Sequence, residues 1–346
     1  MENCLKTRLK EVVNNDSLVI EGHLKIKVSQ KSSVTANMSL LSLSAANTGC
    51  DIKVTGNGYF ADTFAGLSDP GSRYTSKHID GNGNLNTLYF ANGDYYIDIS
   101  SKENIVNIIN SSAAESQTIF SISIDQFYCP NLSKIEAPLS DIHGSISGLS
   151  LSSNLSEIII EGINIVGDIS VLGNATSITS LYISRANVTG NISTLTGKNS
   201  LSLLVLSDTK VSGNVSSLNG LNALTNVQLE NTIVSGDVKN IKSPNLGRLD
   251  IRNTNISGTI EELAAALWNN GSGRGAGIPA SGTPAVTYVY AKGSNVTYNG
   301  QAINMEHAEW IRYFGTYGAY DLSLDTVKQL KEILQNIIID IKILKN

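Results

Sequence analysis

The chain has 346 residues, with 25 Lys+Arg against 30 Asp+Glu and a formal net charge of −5 at pH 7. No basic excess exists to neutralise phosphates, which excludes nucleic acid as a partner class. Hydrophobic residues at 41% exclude wholesale disorder, while charged residues at 16% fall well below the roughly 25% of typical soluble domains. Cys4, Cys50 and Cys129 are widely spaced and form no CxxC, so neither a disulfide framework nor a structural zinc site is expected. The first ten residues are polar, so no secretory leader is expected, and no apolar run reaches the ~18 residues of a membrane helix.

In chain order, residues 1–30 read as a short, amphipathic, slightly basic segment with too few apolar residues to fold alone. Residues 31–128 read as a small antiparallel β domain, sandwich-like, that covers the open end of the repeat region after it. The β-rich signals run over 18–128: the alternation Leu24-Lys-Ile-Lys-Val28 just ahead of this domain, the segment Asp51-Ile-Lys-Val-Thr before Gly56, and Thr87 to Ile99 around Asn92-Gly93. The last predicts a two-residue hairpin.

Internal repetition dominates residues 129–304. Six segments align without gaps on Gly144, Gly167, Gly190, Gly213, Gly236 and Gly258. Two residues before each glycine stand Ile142, Ile165, Val188, Val211, Val234 and Ile256; two after stand Ile146, Ile169, Ile192, Val215, Val238 and Ile260. Apolar columns recur five residues after the glycine and seven, nine and twelve before it, as in Leu201, Leu204, Leu206 and Leu218. A unit of this length buries its apolar columns only against neighbouring units, which predicts a stacked solenoid of six repeats over 132–263. The step of about 23 residues lies in the leucine-rich-repeat range, and the unit L-x-x-L-x-L-x-x-T-x-V-x-G-x-I-x-x-L resembles that class. The fold expected is therefore an α/β-solenoid of leucine-rich repeats, mostly β, with the L-x-L core as a short strand. The glycine column is expected to need a positive φ or a close backbone approach. The column that carries a buried Asn in many such repeats holds Ser140, Ile163, Ala186, Thr209, Thr232 and Thr254, so a full asparagine ladder is not expected there.

Glu261 to Trp268 reads as a true helix, Asn269 to Pro284 as a Gly/Ser/Pro loop, and 286–302 as a degenerate seventh repeat. Residues 305–320 form a tyrosine-rich connector. Residues 321–346 predict an amphipathic helix whose 3,4 spacing puts Val327, Leu334 and Ile341 at a positions and Leu330, Ile337 and Leu344 at d positions. So short a helix must pack on something, and self-association as a homotrimer is the expectation, with docking on the chain's own β domain or connector as the competitor.

No constellation for catalysis emerges. His23, His78, His143 and His307 are scattered and read as satisfied or solvated. Asp80-Gly-Asn82-Gly-Asn84 begins like a calcium loop but has Leu85 and Ala91 where the loop needs glycine and a carboxylate. Gly271 to Gly277 lacks the strand before and helix after that a dinucleotide loop requires. No metal, cofactor or enzymatic activity is expected. Surface recognition remains, on the concave face: an apolar stripe of Ile159, Tyr182 and Val205 with Leu203 beside it, flanked by Arg185, Asp208, Gln228, Glu230, Arg248, Asp250 and Arg252. That face serves either a protein or glycan partner or a contact within the chain or between subunits.

Segment 132–263 resembles bacterial and phage leucine-rich repeats of the V-S-G-D-I/V-S-x-L kind, through Ile233-Val-Ser-Gly-Asp-Val238 and Asn187-Val-Thr-Gly-Asn-Ile192. Asn3 to Lys10, Val13 to Leu18, Leu24 to Val28, Val54 to Thr63 and Tyr89 to Asp94 are similar to the opening of virion fibre proteins of tailed phages of gut Bacteroidota, including the crAss-like group. The resemblance implies a structural head or tail fibre on the virion, anchored by its N-terminal segment to capsid or tail proteins and projecting its distal part toward a host glycan or protein. The alternative is a bacterial cell-surface or secreted repeat protein that binds glycans or proteins.

Overall fold

The computed structural model describes residues 22–30, 39–91, 93–110, 118–138, 140–243, 245–268, 288–298 and 300–303. They divide at Thr194/Leu195 into two compact units.

The first unit opens as two antiparallel sheets facing one another. In the first sheet, Ser39–Ala45 lies between Asn86–Phe90 and Ile105–Asn110, with Phe60–Ala61 outside Asn86–Phe90. In the second, Leu24–Gln30 lies between Tyr95–Ile99 and Thr118–Ser123, with Cys50–Thr55 and Ser76–Ile79 further out beyond Tyr95–Ile99. Alternating apolar residues fill the space between: Leu24, Ile26, Val28, Leu43, Ile52, Ile97 and Ile99 are at most 1% exposed. Phe90 bridges the layers, 5.3 Å from Phe60 in its own sheet and edge-on at 5.9 Å to Phe120 in the other.

The hairpin expected around Asn92-Gly93 does not form. Asn86–Phe90 belongs to the first sheet and Tyr95–Ile99 to the second, so the chain turns a corner between layers. The reason is burial. Leu88 and Phe90 on one strand and Tyr95 and Ile97 on the other all enter the shared core, and the Tyr95 hydroxyl donates to the Ala91 carbonyl at 2.6 Å to pin the corner.

Both sheets then continue into the repeats with a change of sense. Ile105–Asn110 pairs in parallel with Lys134–Glu136, and Thr118–Ser123 in parallel with Asp141–Ser145. The boundary expected at residue 128 thus falls inside two shared sheets. Further parallel strands follow in the first sheet at Glu157–Glu161 and Ser180–Ser184, and in the second at Ile165–Asp168 and Asn187–Asn191.

The second unit repeats this pattern. Leu203–Val205, Asn226–Gln228, Arg248–Asp250 and Tyr288–Tyr290 form one parallel ladder; Lys210–Asn214, Ile233–Asp237, Asn255–Thr259 and Asn295–Tyr298 form the other. Each repeat closes with a short 3-10 turn such as Val215–Leu218, except that an α-helix, Ile260–Trp268, replaces the turn where a helix is expected. The seventh repeat is present in its two strands. Every member of the glycine-flanking apolar columns is buried, from Ile142 at 1% to Ile256 at 0%. The fold is a leucine-rich-repeat solenoid preceded by antiparallel β structure.

The glycine column has a specific cause. Gly144, Gly167, Gly190, Gly213, Gly236 and Gly258 all have φ between +92° and +119°. The residue after each of the first five glycines caps the following 3-10 turn: Asp168 accepts from the Ser170 amide at 2.8 Å, Asn214 from Ser216 at 2.9 Å and Asp237 from Lys239 at 3.0 Å, while after Gly258 the Thr259 hydroxyl accepts from the Glu262 amide of the α-helix at 3.1 Å. That capping side chain lies over the glycine of the next repeat. A Cβ on Gly190 would collide with Asp168 Oδ1, and one on Gly236 with Asn214 Oδ1.

Candidate functional site

The outward side of the first sheet is built from the residues ten, eight and six before each glycine, because side chains alternate along a strand and its other residues face the core. Parallel pairing places equivalent residues of successive repeats side by side.

In the first unit, Glu136, Ile159 and Tyr182 are in register, beside Lys134, Glu157 and Ser180. All six are half-buried. Lys134 Nζ bridges Glu157 at 2.8 Å and Glu136 at 3.0 Å, and the bond to Glu157 holds its pKa above the usual lysine range. Arg185, exposed and at φ +50°, pairs with Glu161 at 2.5 Å, and the Tyr182 hydroxyl donates to the same carboxylate at 3.5 Å. Ile159 and Tyr182 therefore do lie together, within a charge-paired frame and not as a bare apolar row.

In the second unit, Leu203, Asn226 and Arg248 form one column and Val205, Gln228, Asp250 and Tyr290 the next. Two residues expected on the contact surface are buried instead: Val205 is 3% and Asp250 0% exposed. Asp250 is covered by arginines. Arg252 grips it with a two-pronged fork, Nε to Oδ1 at 2.8 Å and an Nη to Oδ2 at 2.6 Å, while an Nη of Arg248 stands 3.9 Å away. Both guanidinium groups lie against the Tyr290 ring, at 5.1 Å for Arg248 and 5.5 Å for Arg252. Glu230 flanks Arg252 at 3.9 Å. The buried Glu230 Oε2 and Arg248 Nε have no hydrogen-bond partner among the described residues. Gln228 donates to Asn226 at 3.0 Å.

Asp208 belongs to a device the repeat spacing did not reveal. Asp208, Asn231 and Asn253 occupy the turn five residues before their glycines, at φ +52° to +57°. Asn253 donates to Asn231 at 2.7 Å, and Asn231 to Asp208 at 2.5 Å. An Asx ladder thus exists one residue ahead of the column where such proteins are expected to carry it. In that expected column, Thr209, Thr232 and Thr254 donate their hydroxyls to the carbonyls three residues back at 2.6–2.7 Å. The signal was available: Asp and Asn are the non-glycine residues that best tolerate a left-handed turn.

The other motifs resolve into local structure. His23 pairs with Asp98 and His78 with Asp51, each at 2.7 Å, and His143 with the Asp141 carbonyl at 3.2 Å. Asn82 accepts from the Asn84 amide at 2.9 Å, an ordinary turn before Asn86–Phe90. Cys50 and Cys129 are buried free thiols; burial pushes their pKa values up to about 11 and about 12. Among the described residues no group of three or more His, Cys, Asp or Glu is placed to hold a metal ion, and no helix is long and apolar enough to cross a membrane. The attachment segment expected over 1–30 ends too late: Leu24–Gln30 is an inner strand of the second sheet, because Leu24, Ile26 and Val28 alternate into the core. The residues before 22, Gly271 to Gly277, and Val327, Leu330, Leu334, Ile337, Ile341 and Leu344 lie outside the described residues.

No family model matches the chain, and no curated protein sequence does. Solved structures similar to it include a plant peptide hormone receptor, RGFR1 in complex with RGF2, at 23% identity over 50% of this chain and 26% of that one, with a TM-score of 0.38. A plant ice-binding protein is 20% identical over 52% and 55% of the two chains, with a TM-score of 0.38. An internalin from Listeria monocytogenes is 17% identical over 57% and 63%, with a TM-score of 0.30. The chain spans about a quarter of the receptor's length and less than two thirds of the internalin's. What this protein's own strand ladders and capped glycine turns establish is the fold class, a leucine-rich-repeat solenoid.

Proposed function

We propose that the protein is a non-catalytic binding component of a virion surface, a head or tail fibre held by its N-terminal segment. In this reading the outward side of its first sheet meets a macromolecular partner, either a host surface molecule or a neighbouring virion protein. The observation that carries the binding role is the partly exposed Arg248–Arg252–Tyr290 patch over buried Asp250. Arginine and tyrosine presented on a rigid strand ladder are the side chains that most often anchor protein interfaces. Asp250 holds Arg252 in one orientation before any partner arrives, which lowers the ordering cost of binding. The placement on a virion rests on the resemblance of residues 3–28, 54–63 and 89–94 to phage fibre proteins, and the trimer rests on the heptad spacing of Val327 to Leu344.

The test is two-part. Mass spectrometry and immunogold labelling of purified phage particles should find the polypeptide on the particle. Its absence there, with recovery from a cell-envelope fraction, would replace this reading with the bacterial surface protein. On particles carrying it, Arg248→Ala with Tyr290→Ala should weaken attachment to the partner without lowering the melting temperature by more than a few degrees. Unchanged attachment would remove this patch from the binding role.

A further inference from the structure

Three buried polar atoms on the outward side of the second unit's first sheet have no hydrogen-bond partner among the described residues: Ser207 Oγ, Glu230 Oε2 and Arg248 Nε. Such atoms are uncommon in folded proteins, because each has given up its water without a replacement. Here they gather on one face. Ser207 and Glu230 stand six residues before their glycines in neighbouring repeats, and Arg248 stands ten before its own in the next repeat. The two arginines that flank Asp250 differ in the same sense. Arg252 commits its fork to Asp250, at 2.8 and 2.6 Å. Arg248 leans on the same Tyr290 ring at 5.1 Å, yet its Nη stays 3.9 Å from Asp250, beyond hydrogen-bond reach, and its side chain is 40% exposed. At the far end of the patch Glu230 Oε1 stands 3.9 Å from Arg252, and Oε2 has no partner. The face thus has a neutralised centre, a positive end at Arg248 with unused donors, and a negative end at Glu230 with an unused acceptor.

We infer that the partner of this face is a protein segment that sets a carboxylate side chain against Arg248 and a basic N–H donor against Glu230. The inference rests on the binding role proposed above and names the chemistry of its partner. Charge selects this occupant. Arg248 and Glu230 are offset by four residues along the strand direction, about 13 Å, so one extended partner surface must carry both groups. An acidic glycan repeats a single sign of charge, and an anionic group set down near Glu230 and Asp250 is repelled. A neutral sugar needs an aromatic ring to stack on, and the Tyr290 ring is already engaged by both guanidinium groups. Leu203 and Asn226, half-buried in one column with Arg248, add the apolar and amide contacts that protein interfaces combine with arginine.

The probe is the peptide acetyl-Gly-Glu-Ser-Thr-Ser-Lys-Gly-amide, whose acidic and basic side chains lie about 13 Å apart when it is extended. Titrated at low salt into the full chain carrying isotope-labelled arginine, it should shift the Arg248 Nε–H resonance saturably. The exposed Arg185 of the first unit should stay in place. Arg248→Lys keeps the charge and loses the fork, and Glu230→Gln removes the negative end; each should weaken the peptide about tenfold. In the parent protein, a peptide with Glu in place of Lys should bind about tenfold more weakly, and polygalacturonate more weakly still at equal carboxylate. An unmoved Arg248 resonance, equal binding of the all-acidic peptide, or tighter binding of polygalacturonate overturns the inference. On particles, attachment lost in Arg248→Ala with Tyr290→Ala but kept in Arg248→Lys overturns the fork while the binding role stands. Attachment unchanged in both removes the binding role itself.

Discussion

The antiparallel front of the first unit and the parallel repeats solve the same problem, a two-layer apolar core, by different means. The front adds a few large aromatic side chains to its aliphatic core. Phe60, Phe90 and Phe120 form a chain of ring contacts across its layers. The repeats rely on many identical small solutions. Turns are capped by an Asp or Asn from the same repeat, left-handed corners are held by Asx neighbours, and the inward columns are aliphatic. Damage in the front should therefore be idiosyncratic, while damage in the repeats should depend on column and hardly on which repeat is hit.

The largest expected effect is Leu204→Asp. Leu204 is fully buried in the repeat stack, and an unpaired carboxylate there costs several kcal/mol, enough to unfold the second unit. Circular dichroism should show lost β signal at room temperature, and the equivalent Leu181→Asp in the first unit should behave alike. Phe90→Ala is the matching test of the front, with an expected loss of about 3–5 kcal/mol in chemical denaturation. A loss under about 1 kcal/mol would mean the aromatic bridge is not what joins the front's layers.

Arg252→Ala comes next, because it strands a fully buried carboxylate. About 3 kcal/mol should be lost, while Asp250→Asn combined with Arg252→Met should recover most of it. No recovery in the double variant would show that the pair itself, and not the stranded charge, carries the energy.

Gly190→Ala asks for a left-handed backbone and for space that Asp168 occupies, at a cost of about 1–3 kcal/mol. Gly236→Ala should cost nearly the same if column decides and repeat does not. Asn231→Ala breaks the middle of the Asx ladder, which is exposed, so about 0.5–1 kcal/mol is expected.

At neutral pH the smallest effect belongs to the two thiols. Cys50 sits in the front and Cys129 where the front meets the repeats, with pKa values raised by burial to about 11 and about 12 from 9.0. Raised thiol pKa values favour the neutral folded form, so their stabilisation is intact below about pH 9 and is lost as pH climbs toward 11 and 12. Stability of the Cys50→Ala, Cys129→Ala protein should fall less steeply over that window than that of the parent, and maleimide should label neither thiol in the folded protein at neutral pH.

Much of this molecule was legible in the sequence where a rule repeats. Six aligned glycines with valine or isoleucine two residues to either side allow only a stack of short strands, since no single unit can bury those columns. The helix at Ile260–Trp268 showed itself through its own run of helix formers. What the sequence left open depends on partners distant in the chain. Asn92-Gly93 carries a hairpin signal, yet the demand of Phe90 and Tyr95 for one core sends the flanking strands into different sheets. Asp250 occupies an outward column, yet Arg252 and Arg248, each two residues from it, cover it, and the Tyr290 ring that both arginines lie against arrives only when the next repeat stacks. Periodicity determines which side of a strand a residue faces, because it is a local property of the backbone. Whether a residue on the outer side meets water is decided by the side chains beside it, and these include side chains from repeats about 23 residues away in the sequence as well as those two residues away on its own strand.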